Sequence, residues 1–113
     1  MLKVYGIKNC DSVKKALKFL KQHNISYEFI DFKEVKVKKE TIEEWLIYTD
    51  IKTLFNARST TYRTLKLKEL NLNDDEKVTW LAKENVLIKR PVITFDKNII
   101  VGYNEELYLE QLL

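Results

Sequence analysis

The sequence predicts an α/β fold: a mixed sheet of about four strands with helices packed on it, and a helical insertion between a β-α-β half and a β-β-α half. Three observations predict it. Residues 2–32 pass from strand alternation to a helical stripe and back to a strand. Residues 92–113 hold two short β-branched runs and then a helix. The stretch between them carries helical stripes and cap residues. The 113 residues read as one domain, residues 1–113, with the insertion over roughly 35–85.

Each element has its own reason. Leu2 and Val4 alternate with Lys3 and Tyr5 and end at Gly6, which reads as a first strand. Val13, Ala16, Leu17 and Leu20 form an i, i+3, i+4, i+7 stripe behind Asp11 and Ser12, with Lys14, Lys15, Lys18 and Lys21 outside it. Ile25–Phe32 is rich in β-branched and aromatic residues and reads as the second strand. Joined by a helix, these two strands should run parallel. Thr41 with Glu44 three residues on reads as a capping box for a helix over Ile42, Trp45 and Leu46. Residues 51–65 show no clean period. Asn73 or Asp74 caps a further helix through Val78, Leu81 and Ala82. Trp45 and Trp80 fall on apolar stripes and read as core. Val92–Phe95 and Ile99–Val101 are separated only by Asp96-Lys97-Asn98, an antiparallel hairpin closed by Gly102. Asn104 caps a last helix over Glu105–Leu113.

Composition excludes several function classes. A single Cys excludes an internal disulfide, a CxxC pair and a multi-cysteine zinc site built by one chain. One His leaves any catalytic triad dependent on His23. The two glycines, Gly6 and Gly102, build neither a P-loop nor a dinucleotide-binding turn. The acids of Glu43/Glu44 and Asp74/Asp75/Glu76 read as helix-start residues, not metal ligands. Net charge is +3, from +5 over residues 1–40 and −2 over 41–113, too weak to argue direct nucleic-acid binding. The opening is too polar for a signal peptide, and no apolar run reaches the ~20 residues of a membrane span. A cytoplasmic location with no membrane partner is therefore expected.

Two positions carry chemistry. Cys10 lies in a polar loop after the first strand and just before the first helix, where unpaired backbone N–H groups favour a thiolate. The ordinary alternative is a small buried thiol. Pro91, the only proline, opens a strand, where proline is tolerated. The order β-α-β…Pro-β-β-α with a thiol after the first strand is that of thioredoxin-like folds.

Three blocks sharpen this: YGIKNCDSVKKALKFL at the start, LFNARSTTYRTL in the middle and IKRPVI…VGYNEE at the end. Together they resemble the arsenate reductase (ArsC) family, nearest its YffB-like and Spx-like branch. The resemblance implies a thioredoxin-like core with a helical insertion, Cys10 as nucleophile, and Arg90 before a cis-Pro91. It implies that Arg90 faces the thiolate and an oxyanion, which a guanidinium can bind bidentately. Arg58, in the Asn56-Ala57-Arg58 block, matches a second arginine; the alternative is a structural Arg paired with a carboxylate. Lys8 and Asn9 precede the thiol, and a Lys there can pair with a glutathione carboxylate or simply face solvent. Two departures stand out. Glu105 and Glu106 lie where arsenate reductases carry a further Arg, and two acids repel a doubly charged oxyanion. Val13 replaces the second Cys of the Spx-like switch.

The expected activity is a glutathione-linked thiol oxidoreductase working through one cysteine, with catalytic Cys10 and Arg90 and substrate contacts from Arg58, Lys8, Asn9 and Pro91. No bound cofactor is expected. Glutathione serves as co-substrate, glutathione or a glutaredoxin- or thioredoxin-type protein as reductant, and a small anionic or disulfide compound as substrate. The alternatives are an Spx-like regulator that binds RNA polymerase and a catalytically silent scaffold.

Overall fold

The computed structural model describes residues 2–113, which form two compact units. The first unit runs up to Asp31 and resumes at Arg90–Leu113; the second is Phe32–Lys89.

In the first unit, β1 (Leu2–Gly6), α1 (Asp11–Gln22), β2 (Tyr27–Asp31), β3 (Val92–Phe95), β4 (Asn98–Val101) and α6 (Glu105–Leu112) follow in chain order. The sheet order is β2-β1-β3-β4. β1 and β2 run parallel with Leu2 opposite Tyr27 and Gly6 opposite Asp31. β1 and β3 run antiparallel with Tyr5 opposite Val92, and β3 and β4 run antiparallel with Val92 opposite Val101. This is the thioredoxin-like arrangement expected from the sequence. Leu2, Val4, Ile93 and Ile100 share one core and pack with Ala16, Phe19 and Leu20 of α1 and Tyr108 of α6. Lys3 points away, as strand alternation requires.

The register fixes which chain ends meet. β1, β2 and β4 all finish at one end of the sheet, and β3 begins there. Both helices of this unit also start at that end, α1 behind β1 and α6 behind β4.

The second unit is helical: α2 (Lys39–Trp45), α3 (Ile51–Leu54), α4 (Thr60–Thr64) and α5 (Asp74–Lys83), with 3-10 turns at Leu67–Leu70 and Asn85–Leu87. α2 and α3 pack on α5, and Ile42, Trp45, Leu54, Leu81 and Leu87 are buried. Asn85 is the buried polar clamp of this unit. Its Oδ1 accepts from Val37 N–H at 2.8 Å, and its Nδ2 donates to Val37 O at 3.0 Å and Leu81 O at 2.9 Å.

Several expectations are corrected. Thr41 is not an N-cap: α2 starts at Lys39 with Lys38 as cap, and Thr41 N–H already bonds Lys38 O. Glu43 and Glu44 therefore sit in the last turn of α2, not at its start, while Asp74, Asp75 and Glu76 do occupy the first turn of α5. The stretch without a period holds two short helices, capped by Asp50 and Ser59. Trp45 is buried, but Trp80 is only half-buried, with the Lys83 ammonium 4.8 Å above its ring. Asn73 and Glu76 do form a reciprocal capping box. Among the described residues no helix is long and apolar enough to cross a membrane. Nor do three or more His, Cys, Asp or Glu among them gather to hold a metal.

Candidate functional site

The end of the sheet where β1 stops and β3 starts gathers most of the residues singled out above. Gly6 closes β1, and a loop of Ile7, Lys8 and Asn9 carries the chain to Cys10. Lys8 and Asn9 are exposed. Cys10 is the N-cap of α1, in extended backbone at φ −144° and ψ 123°. Its carbonyl accepts the first helical hydrogen bond, from Lys14 N–H at 2.9 Å. Its side chain makes no capping bond, and the thiol is free and half-buried. Cys10 thus stands at the N-terminal end of α1, the positive end of the helix.

The loop is short because β1 and α1 touch. A Cβ placed on Gly6 would lie 2.7 Å from Val13 Cγ2, inside any tolerable contact. Glycine at this position is what lets the first turn of α1 sit against the end of the strand.

On the other side of β1, the Arg90–Pro91 bond is cis and leads directly into β3. Pro91 is buried. Arg90 is half-buried, with its Nε shielded from solvent. The Pro91 carbonyl accepts from Gly102 N–H at 2.8 Å. Gly102 sits at φ 86°, a left-handed conformation natural to glycine. It is followed by Asn104, which caps α6 by accepting from Leu107 N–H at 3.0 Å. Glu105 and Glu106 occupy the first turn of α6, so the acids noted in the sequence stand at this same end.

Two positions singled out in the sequence have other surroundings. Arg58 belongs to the second unit, where it is exposed, its N–H donating to Asn56 Oδ1 at 3.1 Å just before α4. Tyr62, in the same block, packs edge-on against Phe55. His23 is the C-cap of α1 and contacts the Phe19 ring at 4.3 Å. A helix of that length spans ~18 Å, so His23 cannot serve as a base for Cys10.

Three residues at this end escaped sequence reasoning. Asp31 is buried at the end of β2, opposite Gly6. Gly102 was visible as one of only two glycines, yet its bond to Pro91 was not. Tyr108 lies fully buried and donates its hydroxyl to Gly102 O at 2.7 Å.

The ArsC family profile matches residues 5–111. The chain belongs to the ArsC family. It is 39% identical over 109 residues to an uncharacterized protein of Haemophilus influenzae, covering 96% of both. It is 29% identical over 108 residues to the global transcriptional regulator Spx of Listeria monocytogenes, covering 94% of this chain and 82% of Spx. Among solved structures, YFFB superposes with a TM-score of 0.93 at 30% identity over the whole of both chains. An arsenate reductase (ArsC) related protein from Brucella melitensis gives 0.77 at 31% identity, covering 98% of this ArsC-family chain and 93% of that one.

Proposed function

We propose that this ArsC-family protein is a monothiol oxidoreductase that reduces glutathione mixed disulfides, with Cys10 as nucleophile. The observation that carries this reading is the placement of a free, half-buried thiol at the N-cap of α1, at the sheet end where Arg90 and Pro91 enter β3.

The Cys10 thiolate attacks the glutathione sulfur of a substrate R–S–S–G. A Cys10–glutathione disulfide forms, the substrate S–S bond breaks, and R–S⁻ leaves with the electron pair and takes a proton from water. The thiolate of a glutathione molecule then attacks the glutathione sulfur held on Cys10. Glutathione disulfide departs and the Cys10 thiolate returns. The balance is one mixed disulfide and one glutathione consumed, one thiol and one glutathione disulfide formed. With one cysteine in the chain, the resolving thiol has to come from outside. A glutaredoxin- or thioredoxin-type protein is the other reductant class that fits this step.

Arg90 supplies positive charge for the thiolate and for a substrate carboxylate. In this reading Lys8 and Asn9, exposed in the loop before Cys10, and Pro91, buried at the start of β3, are the further substrate contacts. Arg58, matched only by the family pattern and exposed in the second unit, has no part in these steps. Glu105 and Glu106, on the first turn of α6, disfavour a dianion, so arsenate ranks below a glutathione disulfide as substrate.

The test is a coupled assay with glutathione, glutathione reductase and a small glutathionylated thiol. The wild type should turn over, and Cys10→Ser should fall to the uncatalysed rate. Equal rates for the two proteins would refute the reading.

A second reading draws on the likeness to Spx: a regulator that binds RNA polymerase. Val13 stands three residues after Cys10, so such a regulator would lack an internal disulfide switch. A pull-down with the C-terminal domain of the polymerase α subunit tests it, and absence of binding removes it.

A further inference from the structure

We propose that Tyr108 is a positioning residue for Arg90, acting through a hydrogen-bonded relay from its hydroxyl to the Gly102 carbonyl and from the Gly102 N–H to the Pro91 carbonyl. The inference rests on the reading that Arg90 acts on the chemistry of Cys10.

The relay has three links. Tyr108 lies fully buried on α6. Burying a phenol hydroxyl costs free energy unless it is bonded, so its presence calls for a partner. That partner is Gly102 O at 2.7 Å. Gly102 then uses its own N–H to hold the Pro91 carbonyl at 2.8 Å, and Pro91 is bonded to Arg90.

The phenol is itself fixed. Its ring meets Phe19 of α1 edge-on at 5.4 Å and Tyr103 at 5.2 Å. The helix that carries Cys10 at its start and the loop that carries Arg90 therefore share one buried anchor. Removing the hydroxyl leaves both helices packed but frees the Gly102 carbonyl. The Pro91 carbonyl then loses a fixed donor, and the Arg90 guanidinium is held less firmly.

The experiment compares alkylation of Cys10 by iodoacetate and by neutral iodoacetamide in wild type, Arg90→Ala, Tyr108→Phe and Gly102→Ala. In both reactions the thiolate displaces iodide, and the ratio of the two rates reads the positive charge beside the sulfur. Arg90→Ala should lower the ratio about fivefold, the effect of one charge ~4 Å away in water. Tyr108→Phe should lower it about twofold, with the iodoacetamide rate and the far-UV circular dichroism unchanged. A loss of packing alone would move both reagents together. Gly102→Ala strains the same link at φ 86° and should lower the ratio in the same direction. A Tyr108→Phe or Gly102→Ala ratio equal to wild type, beside a lowered Arg90→Ala ratio, overturns the relay alone. An unchanged Arg90→Ala ratio overturns the role of Arg90 and the relay with it.

Discussion

Gly6→Ala is the sharpest structural test of how Cys10 is placed. Gly6 ends a strand and does not occupy left-handed backbone, so alanine meets no φ penalty. The obstacle is space. The new methyl would lie 2.7 Å from Val13 Cγ2, against a comfortable carbon–carbon separation of ~3.5–4.0 Å. Val13 is fully buried on the first turn of α1 and has no free rotamer to retreat into. Overpacking of this kind costs ~1–3 kcal/mol, offset by ~0.4–1 kcal/mol from a stiffer unfolded chain. The net is about 1.5 kcal/mol of lost stability, or a fall in Tm of roughly 6 °C for a chain of this size. Urea unfolding followed by circular dichroism measures it. Val13→Ala alone should also destabilise, by roughly 2 kcal/mol, because it empties a packed site. In the double variant the methyl added at position 6 enters the vacated space, so the two losses should not add: the pair should be ~1 kcal/mol more stable than their sum. Additive losses, or a Gly6→Ala protein as stable as wild type, would refute the close strand–helix contact.

Other perturbations should behave as follows. Asn85→Leu leaves Val37 N–H, Val37 O and Leu81 O without their buried partner and should cost ~3 kcal/mol or more by urea unfolding. Burial pushes the Tyr108 phenol above its ordinary value of ~10, with Tyr103 adding in the same direction. Its stabilising contribution is therefore whole below pH ~10 and is lost as pH rises from there toward the folded value. Tyr108→Phe should flatten that alkaline loss while lowering stability near neutrality by ~1 kcal/mol. Hydrogen bonds from the Thr53 backbone and hydroxyl hold the Asp50 carboxyl below the usual carboxylate range. The cap on α3 is thus complete above the ordinary carboxylate value and loosens as pH falls through the folded one, which amide exchange of Thr53 and Leu54 in wild type and Asp50→Ala would report.

The parts of the fold that follow from local pattern were legible in the sequence. The alternation of Leu2 and Val4, the stripe from Val13 to Leu20 and the short link at Asp96-Lys97-Asn98 determine strand, helix and hairpin by neighbours alone. The insertion was harder for physical reasons. Helices of four and five residues, Ile51–Leu54 and Thr60–Thr64, are too short to display a period. Chain reversals at Lys66 and Asn71 use left-handed backbone without glycine to announce it. Thr41 followed by Glu44 has the letters of a capping box, but Lys38 already stands in extended backbone and starts α2 earlier. Cys10 and Pro91 could be picked out because each lies at a boundary between elements, and Arg90 through the resemblance of the IKRPVI block to the family. The Asn85 clamp joins residues 48 positions apart, and the Tyr108 relay runs from α6 through Gly102 to Pro91, just before β3. Neither leaves a local trace.

The most direct measurement is intact mass after incubation with oxidised glutathione. One glutathione should be found per chain, bound to Cys10 by peptide mapping, released by dithiothreitol and absent from Cys10→Ser. A folded wild-type protein that stays unmodified under conditions where free cysteine exchanges readily would contradict the assignment of Cys10 as the nucleophile.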